Sequence, residues 1–389
     1  MVRVALVRCP DYDDRNVGPA VDRALGLLGG WEAFVPRRAR VFVKINHLSP
    51  PSPPGQGIIT HPAVAAAVIA RLKEFEAEVI VGDDIQSPET DGFSVSGYRE
   101  VCRRLGVGLI NLKEDGFREV GLQGARLRSV YFARQALDSD LIVNLPKLKT
   151  HAFTAFTGAV KNMFGCIPYG ARLEAHRRFP RQDDFSEMLA DLYACRPPRL
   201  TVMDGIVAME GEGPAGGPLR KVGLLLAGGD GVAVDAVAAR LIGFKPGEVL
   251  TTAFAQDRGA GVGDPAGIEV VGERPENAAP AEFKHSALAM GLLRKKLPQT
   301  IYAFISGQLV LIPEIVPVPC TGCWECVKIC PTGAARREGS KARINGPDCI
   351  HCMCCHEVCR FQAVRTRSTP LGRWIKAGGE IARRLGVRL

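Results

Sequence analysis

Cys320-Thr-Gly-Cys323-Trp-Glu-Cys326-Val-Lys-Ile-Cys330-Pro331 and Cys349-Ile-His-Cys352-Met-Cys354-Cys355-His-Glu-Val-Cys359 are the two stretches on which the reading of this chain turns. Each follows C-x2-C-x2-C-x3-C. Three cysteines at this spacing wrap three corners of an iron–sulfur cube, while the fourth sits too far along the turn and reaches the neighbouring cube. On that logic Cys320, Cys323, Cys326 and Cys359 hold one [4Fe-4S] cluster, and Cys349, Cys352, Cys355 and Cys330 hold the other. Cys354 is left over and competes with Cys355 beside it. Zinc is the alternative for paired cysteines, but it needs only two CxxC pairs per ion and gives the fourth member of each run no role.

Over residues 316–366 this module resembles the bacterial two-cluster ferredoxin domain, with Arg360 where that family has proline after the last cysteine. The resemblance implies a small α+β domain that carries electrons. Cys9, Cys102, Cys166 and Cys195 are scattered without paired spacing, so the cysteines read as metal ligands in a reducing compartment rather than a disulfide frame. The chain runs from Met1 straight into an alternating strand with no signal-peptide pattern, and a cytoplasmic location is expected.

Upstream of the module, short β-branched runs alternate with helical patterns. Strands are expected at Val2–Val7, Arg40–Ile45, Glu78–Val81, Gly108–Asn111, Asp140–Leu145, Leu200–Met203, Lys221–Leu226 and Ile268–Val271. Helices are expected at Val17–Leu28, Pro62–Phe75, Val95–Leu105, Thr154–Phe164, Phe185–Ala194, Ala233–Ile242 and Val249–Gln256. This alternation predicts an α/β domain with a mostly parallel sheet and flanking helices over residues 1–280. A linker packed on that domain would follow over 281–315, then the ferredoxin-like domain over 316–366 and a basic amphipathic tail over 367–389.

In an open parallel sheet, ligands bind beyond the carboxyl ends of the strands. Lys44 and Asn46 follow the second strand, and the densest polar group follows the fifth: Asn144-Leu-Pro-Lys147-Leu-Lys149-Thr150-His151. Lys161, Asn162 and Arg172 come soon after. Like charges converging on one loop call for an anion, which points to an anion-binding cleft; a solvated basic face is the plainer reading. In the cleft reading Lys44, Asn46, Lys147, Asn162 and Arg172 bind substrate, and His151, Lys161 and Lys149 are catalytic. Gly229-Asp-Gly231 lacks the third glycine of a dinucleotide fingerprint and reads as a plain strand-to-helix turn.

Lys44-Ile-Asn46, Thr60-His61-Pro62, Asn144 to His151, Thr157 to Gly165 and Asp204-Gly205 together resemble the domain of unknown function 362 family over residues 36–250. That family is often joined to a ferredoxin module. The resemblance implies a domain layout and leaves the substrate open.

The net charge of +9 need not mean nucleic acid, because anionic clusters are offset by nearby Lys328, Arg336, Arg337, Lys341, Arg343, Arg360 and Arg365. No nucleic acid partner is expected. Leu297–Val318 is apolar but interrupted by Pro298, Gln299, Gln308, Pro313 and Glu314, so it reads as packed on a domain surface, with peripheral membrane contact as the alternative. Arg373, Lys376, Arg383, Arg384 and Arg388 lie around Trp374, Ile375, Ile381 and Leu385 in an amphipathic pattern, either docked on the module or anchoring to a partner or membrane surface.

The leading functional expectation is an iron–sulfur oxidoreductase that relays electrons from a redox partner protein, through two [4Fe-4S] clusters, to a small anionic substrate at the strand ends. The alternatives are a non-catalytic electron-transfer adaptor, and a non-redox isomerase or lyase with structural clusters.

Overall fold

The computed structural model describes residues 1–86, 90–285 and 297–374. The first strands are β1 (Val2–Arg8), β2 (Arg40–Ile45), β3 (Glu78–Asp83), β4 (Gly108–Asn111), β5 (Phe117–Gly121) and β6 (Ser129–Ala133). Next come β7 (Leu141–Leu145), β8 (Lys147–His151), β9 (Ala155–Thr157), β10 (Leu200–Met209), β11 (Leu219–Gly228) and β12 (Ile268–Gly272). The carboxyl-terminal part holds β13 (Leu311–Ile315), β14 (Ala335–Glu338), β15 (Lys341–Ile344) and β16 (Val364–Ser368).

The main sheet has the order β12-β1-β11-β10-β7-β2-β3-β4. Along this order only β11 runs against its neighbours, so this is a mixed α/β fold with a large, mostly parallel sheet. Helices cover both faces, and the strand sequences show why. Val41, Val43, Ile45, Leu141, Val143 and Leu145 face one apolar cluster with the helices Asp14–Leu27 and Pro62–Glu74. Phe42 and Ile142, at the alternate positions, face the other with the helices Gln182–Cys195 and Leu250–Asp257. A strand buried on both sides reads as a continuous apolar run, and each such side chain contributes roughly 1.5–3 kcal/mol.

Pro146 divides β7 from β8. The first pairs with β10 at Leu200 and Thr201, whereas β8 follows β10 further along, at Asp204 and Met209, beyond the end of β2. Leu148 packs inward against Met203, Leu224 and Leu226, which leaves Lys147, Lys149 and His151 at the alternate positions. The expected helix at Thr154–Phe164 is instead β9, antiparallel to β8, followed by a short helix Ala159–Asn162. Ala155 has a φ of 67°, which a helix does not allow, and Asp235 accepts hydrogen bonds from the amides of Ala159 and Val160 to start the short helix. Asp230 caps the helix Gly231–Leu241 in the same way, making Gly229 to Gly231 a strand-to-helix turn.

The cysteine-bearing part is a β13–β16 ribbon, a β14–β15 hairpin and the short helices Glu325–Ile329 and Cys354–Val358. Tyr302, Leu311 and Met353 belong to the same apolar cluster as Phe42 and Phe185, so this part shares a core with the α/β layer. Among the described residues no helix is long and apolar enough to cross a membrane. The expected tail from Ile375 onward and the linker residues 286–296 lie outside the described residues.

Candidate functional site

A cavity of about 160 Å³ lies at the carboxyl ends of β2, β3 and β8. One wall carries Lys44, Asn46, Lys149, Lys161, Asn162 and Arg172; the other carries Glu325, Cys354 and Glu357 from the cysteine-bearing part. Six of the eight residues expected to bind or transform substrate thus line the cavity, and His151 and Lys147 do not; the six do not all present free charge.

Lys44 is the clearest difference. Flush register between β2 and β3 sets its ammonium 2.8 Å from Asp83, and both side chains are buried. Asp83 also accepts from the amides of His47 and Asp84, while Lys44 donates to the carbonyl of Ile45. A side chain at Gly165 would put its Cβ 2.4 Å from Asp83 and 2.9 Å from the Lys44 ammonium, so only glycine permits this approach. Lys147 is also consumed. Its ammonium sits 2.8 Å from Asp204 and donates to the Tyr12 hydroxyl, and it does not line the cavity. Arg172 pairs with Asp84 and lies over the Tyr169 ring, although burial still pushes the Asp84 carboxyl up.

Lys149 and Lys161 remain. Burial, with Lys161 and Lys147 nearby, pulls the Lys149 ammonium down to about 7. Burial also lowers Lys161, against the pull of Glu357. Among the described residues no hydrogen bond or ion pair engages the Lys161 ammonium, which lies 5.7 Å from the Phe164 ring centre. The anion that the basic cluster called for is therefore partly the protein's own. It is Glu357, from the second cysteine run.

His151 is fully buried, and its Nδ1 accepts from the amides of Phe153 and Thr154. The ring proton must then sit on Nε2, 3.1 Å from Glu357 Oε1, an ion-pair distance at which neither atom meets hydrogen-bond geometry. Burial, with Lys161 alongside, pulls this imidazole down to about 4, so it is neutral at neutral pH. Burial alone would raise Glu357, but its basic neighbours outweigh that and hold it well below the usual carboxylate range. His151 leads that effect, with Lys161 and His176 adding to it. Around the same cavity Asn46 Oδ1, Thr157 Oγ1, Arg172 Nε and His176 Nδ1 are buried without partners among the described residues. Asn162 is held by the carbonyl of Ile45 and by Asn144, which bonds the carbonyl of Ala159.

The two cysteine runs are structural repeats of each other. Trp324 and Met353 both take left-handed φ values, 66° and 65°, and each opens a five-residue helix. Glu325 and Cys354 are the first residues of those helices. Cys320, Cys323, Cys326 and Cys359 line one small cavity, and Cys330, Cys349, Cys352, Cys354 and Cys355 line a second. Burial and the neighbouring Cys359, Cys323 and Cys320 push the Cys326 thiol up to about 11, so the four sulfurs can be thiolates together only around a cation. The amides of Ala335, His351 and Ala363 donate to the sulfurs of Cys330, Cys349 and Cys359. These cysteines could bind a metal cluster. Glu212, in the glycine-rich stretch after β10, ties the same part down by accepting from Thr366 and lying 3.5 Å from His356.

Glu357, Glu325 and His176 were not among the sequence-predicted site residues. Glu357 carries no signal of its own in the sequence, because it stands inside a metal-ligand run. His176 lies in an otherwise ordinary helical stretch, Tyr169–Arg178.

Residues 41–240, just over half of the chain, match the family described as "Domain of unknown function (DUF362)". The chain is 33% identical over 257 residues to a thylakoid-associated protein of Synechocystis sp., a match spanning 66% of this chain and 78% of that protein. Among solved structures, the lactate racemase apoprotein of Thermoanaerobacterium thermosaccharolyticum aligns with a TM-score of 0.39 at 12% identity, over 59% of this chain and 54% of that one. A Thermotoga maritima protein aligns with a TM-score of 0.38 at 13% identity, over 60% of each chain. The match thus spans just over half the length of each of these two structures.

Proposed function

The chain belongs to the DUF362 family, and we propose that it is an iron–sulfur oxidoreductase acting on a small organic acid. In this reading Cys320, Cys323, Cys326 and Cys359 hold one [4Fe-4S] cluster and Cys330, Cys349, Cys352 and Cys355 hold the other. The observation that carries it is the shared wall: Cys354 and Glu357, on the helix of the second cysteine run, face the same cavity as Lys149 and Lys161.

The cages suit a cluster better than a single ion. A tetrahedral zinc site with bonds of ~2.3 Å brings its sulfurs to within about 4 Å of one another. Among the described residues, the only three ligand atoms that come within 4.8 Å of one another belong to His176, Cys352 and Cys354, so neither four-cysteine set is that tight. Backbone amides aimed at three of the sulfurs are the hydrogen bonds by which a protein tunes a cluster's potential. When bound, the clusters would supply one-electron transfer from a redox partner protein.

The residues around the cavity limit what it accepts. Lys44, Lys147 and Arg172 each have a carboxylate, and Glu357 offsets Lys161. Lys149 is left as the uncompensated cation, which suits one carboxylate rather than two. Lys149 and Lys161 would hold that carboxylate, Arg172 Nε and Asn46 Oδ1 would fix the rest of the molecule, and His151, neutral and with Nε2 turned to Glu357, would position the Glu357 carboxylate rather than give up a proton itself.

An acid–base isomerase or lyase with structural clusters is the second reading, favoured by a lysine poised at about 7 beside a neutral histidine. Reducing the loaded protein with dithionite separates the two, since only the oxidoreductase responds. The primary test is a thermal-shift screen of small organic acids on anaerobically purified, cluster-loaded protein. A stabilising acid is expected, with the shift lost in Lys161→Ala while the cluster absorbance is kept; loss of that absorbance in the variant would sink the site assignment.

A further inference from the structure

The helix Gln299–Gln308 packs Tyr302 into the core but turns a different stripe outward. Ile301 is 48% exposed and Phe304 71%, and Gln308 continues the stripe one turn on. At the end of that stripe the carbonyl of Gln308 accepts a hydrogen bond from Thr369, which opens the helical residues 370–374. Leu371 and Trp374 there, again three residues apart, are also exposed, Trp374 at 81%. The two apolar faces leave the same end of the β13–β16 ribbon, where Leu311 pairs with Ser368. Large apolar side chains concentrated this way on a surface mark an interaction site, whereas scattered ones do not.

The charge on either side selects the partner. Arg294-Lys295-Lys296 immediately precede the helix in the sequence, and Lys376, Arg383, Arg384 and Arg388 follow Trp374 against a lone Glu380. Exposed Phe, Ile and Trp followed or preceded in the sequence by lysine and arginine are the chemistry of a surface that inserts among acyl chains beside anionic headgroups. We propose that Ile301, Phe304, Leu371 and Trp374 form a membrane-docking face that seats the protein on an anionic lipid surface. The face does not span the bilayer. The helix packs beside the second cysteine run, Tyr302 and Gly307 sharing a cavity with Ile350, His351 and Met353, so docking would hold that run near the lipid.

The test is vesicle flotation of the full-length protein. Wild type is expected to float with phosphatidylcholine vesicles containing phosphatidylglycerol, to float less as salt is raised, and to remain behind with phosphatidylcholine alone. The double variant Phe304→Ser/Trp374→Ser should lose partitioning by about tenfold or more while keeping wild-type circular dichroism and melting temperature. A chain ending at Trp374 should lose the preference for phosphatidylglycerol. Equal flotation of wild type and the double variant overturns the proposal. So does a wild-type dimer in light scattering that the double variant breaks, because the face would then be covered by a second copy.

Discussion

His151 Nε2 and Glu357 Oε1 meet at 3.1 Å, one at the end of β8 and the other inside the second cysteine run. This is where the two walls of the cavity exchange charge, since the same carboxylate also faces Lys161. Glu357→Gln keeps the volume and deletes the charge, leaving Lys161 uncompensated. A buried ammonium that loses its nearby compensating charge is costly to keep charged, so the melting temperature should fall. The affinity for a small acid should rise, because the cavity gains net positive charge. Calorimetry and an acid titration on the same sample check both signs, and a variant that loses stability and affinity together contradicts the account.

Lys149 gives the site a pH dependence of known sign. Its ammonium, pulled down to about 7, is charged below that pH and neutral above it. Affinity for a carboxylate should therefore weaken as pH climbs through 7. The same shift places the folded value below the unfolded one of ~10.4, so the unfolded chain holds more protons between them and Lys149's contribution to stability grows as pH rises across that window. Isothermal titration at a series of pH values should give a flat profile in Lys149→Met.

Lys147 is a stability residue in this geometry. Its ammonium, Asp204 and Tyr12 close on one another away from the cavity. Lys147→Met should lower unfolding free energy by about 3–5 kcal/mol in denaturant titrations and change acid affinity less than about twofold. A variant of normal stability that no longer binds would return Lys147 to the binding set.

Cys354 and Cys355 are separable on the repeat between the two runs. Cys354 stands where the first run has Glu325, whereas Cys355 matches Cys326. On the cluster proposal, Cys354→Ser keeps the full iron content and both reduced-cluster signals in electron paramagnetic resonance, and Cys355→Ser loses the second. Iron loss in Cys354→Ser would exchange their roles.

The strands were legible because their burial is two-sided. Arg40–Ile45 and Leu141–Leu145 appear where the β-branched runs place them, and Asn46, Asp83 and Asp84, at or just past strand ends, line one cavity. Composition misleads at residues 154–164, where helix-like residues yield to β8 pairing and to Asp235, far along the chain. The lysines could be counted in the sequence, but their partners could not. Asp83, Asp204 and Glu357 reach Lys44, Lys147 and Lys161 only once strand order and the packing of the second wall are settled.

The second wall has one more consequence. The α/β layer supplies half a mould, and the other half is Glu325, Cys354 and Glu357 on two short helices whose bends at Trp324 and Met353 lie between cage cysteines. On the cluster proposal, filling the cages would hold in place the two helices that complete the recess, and so favour binding of the acid. Metal loading would then act as an inspection step, admitting substrate preferentially to copies that already have somewhere to send or draw an electron.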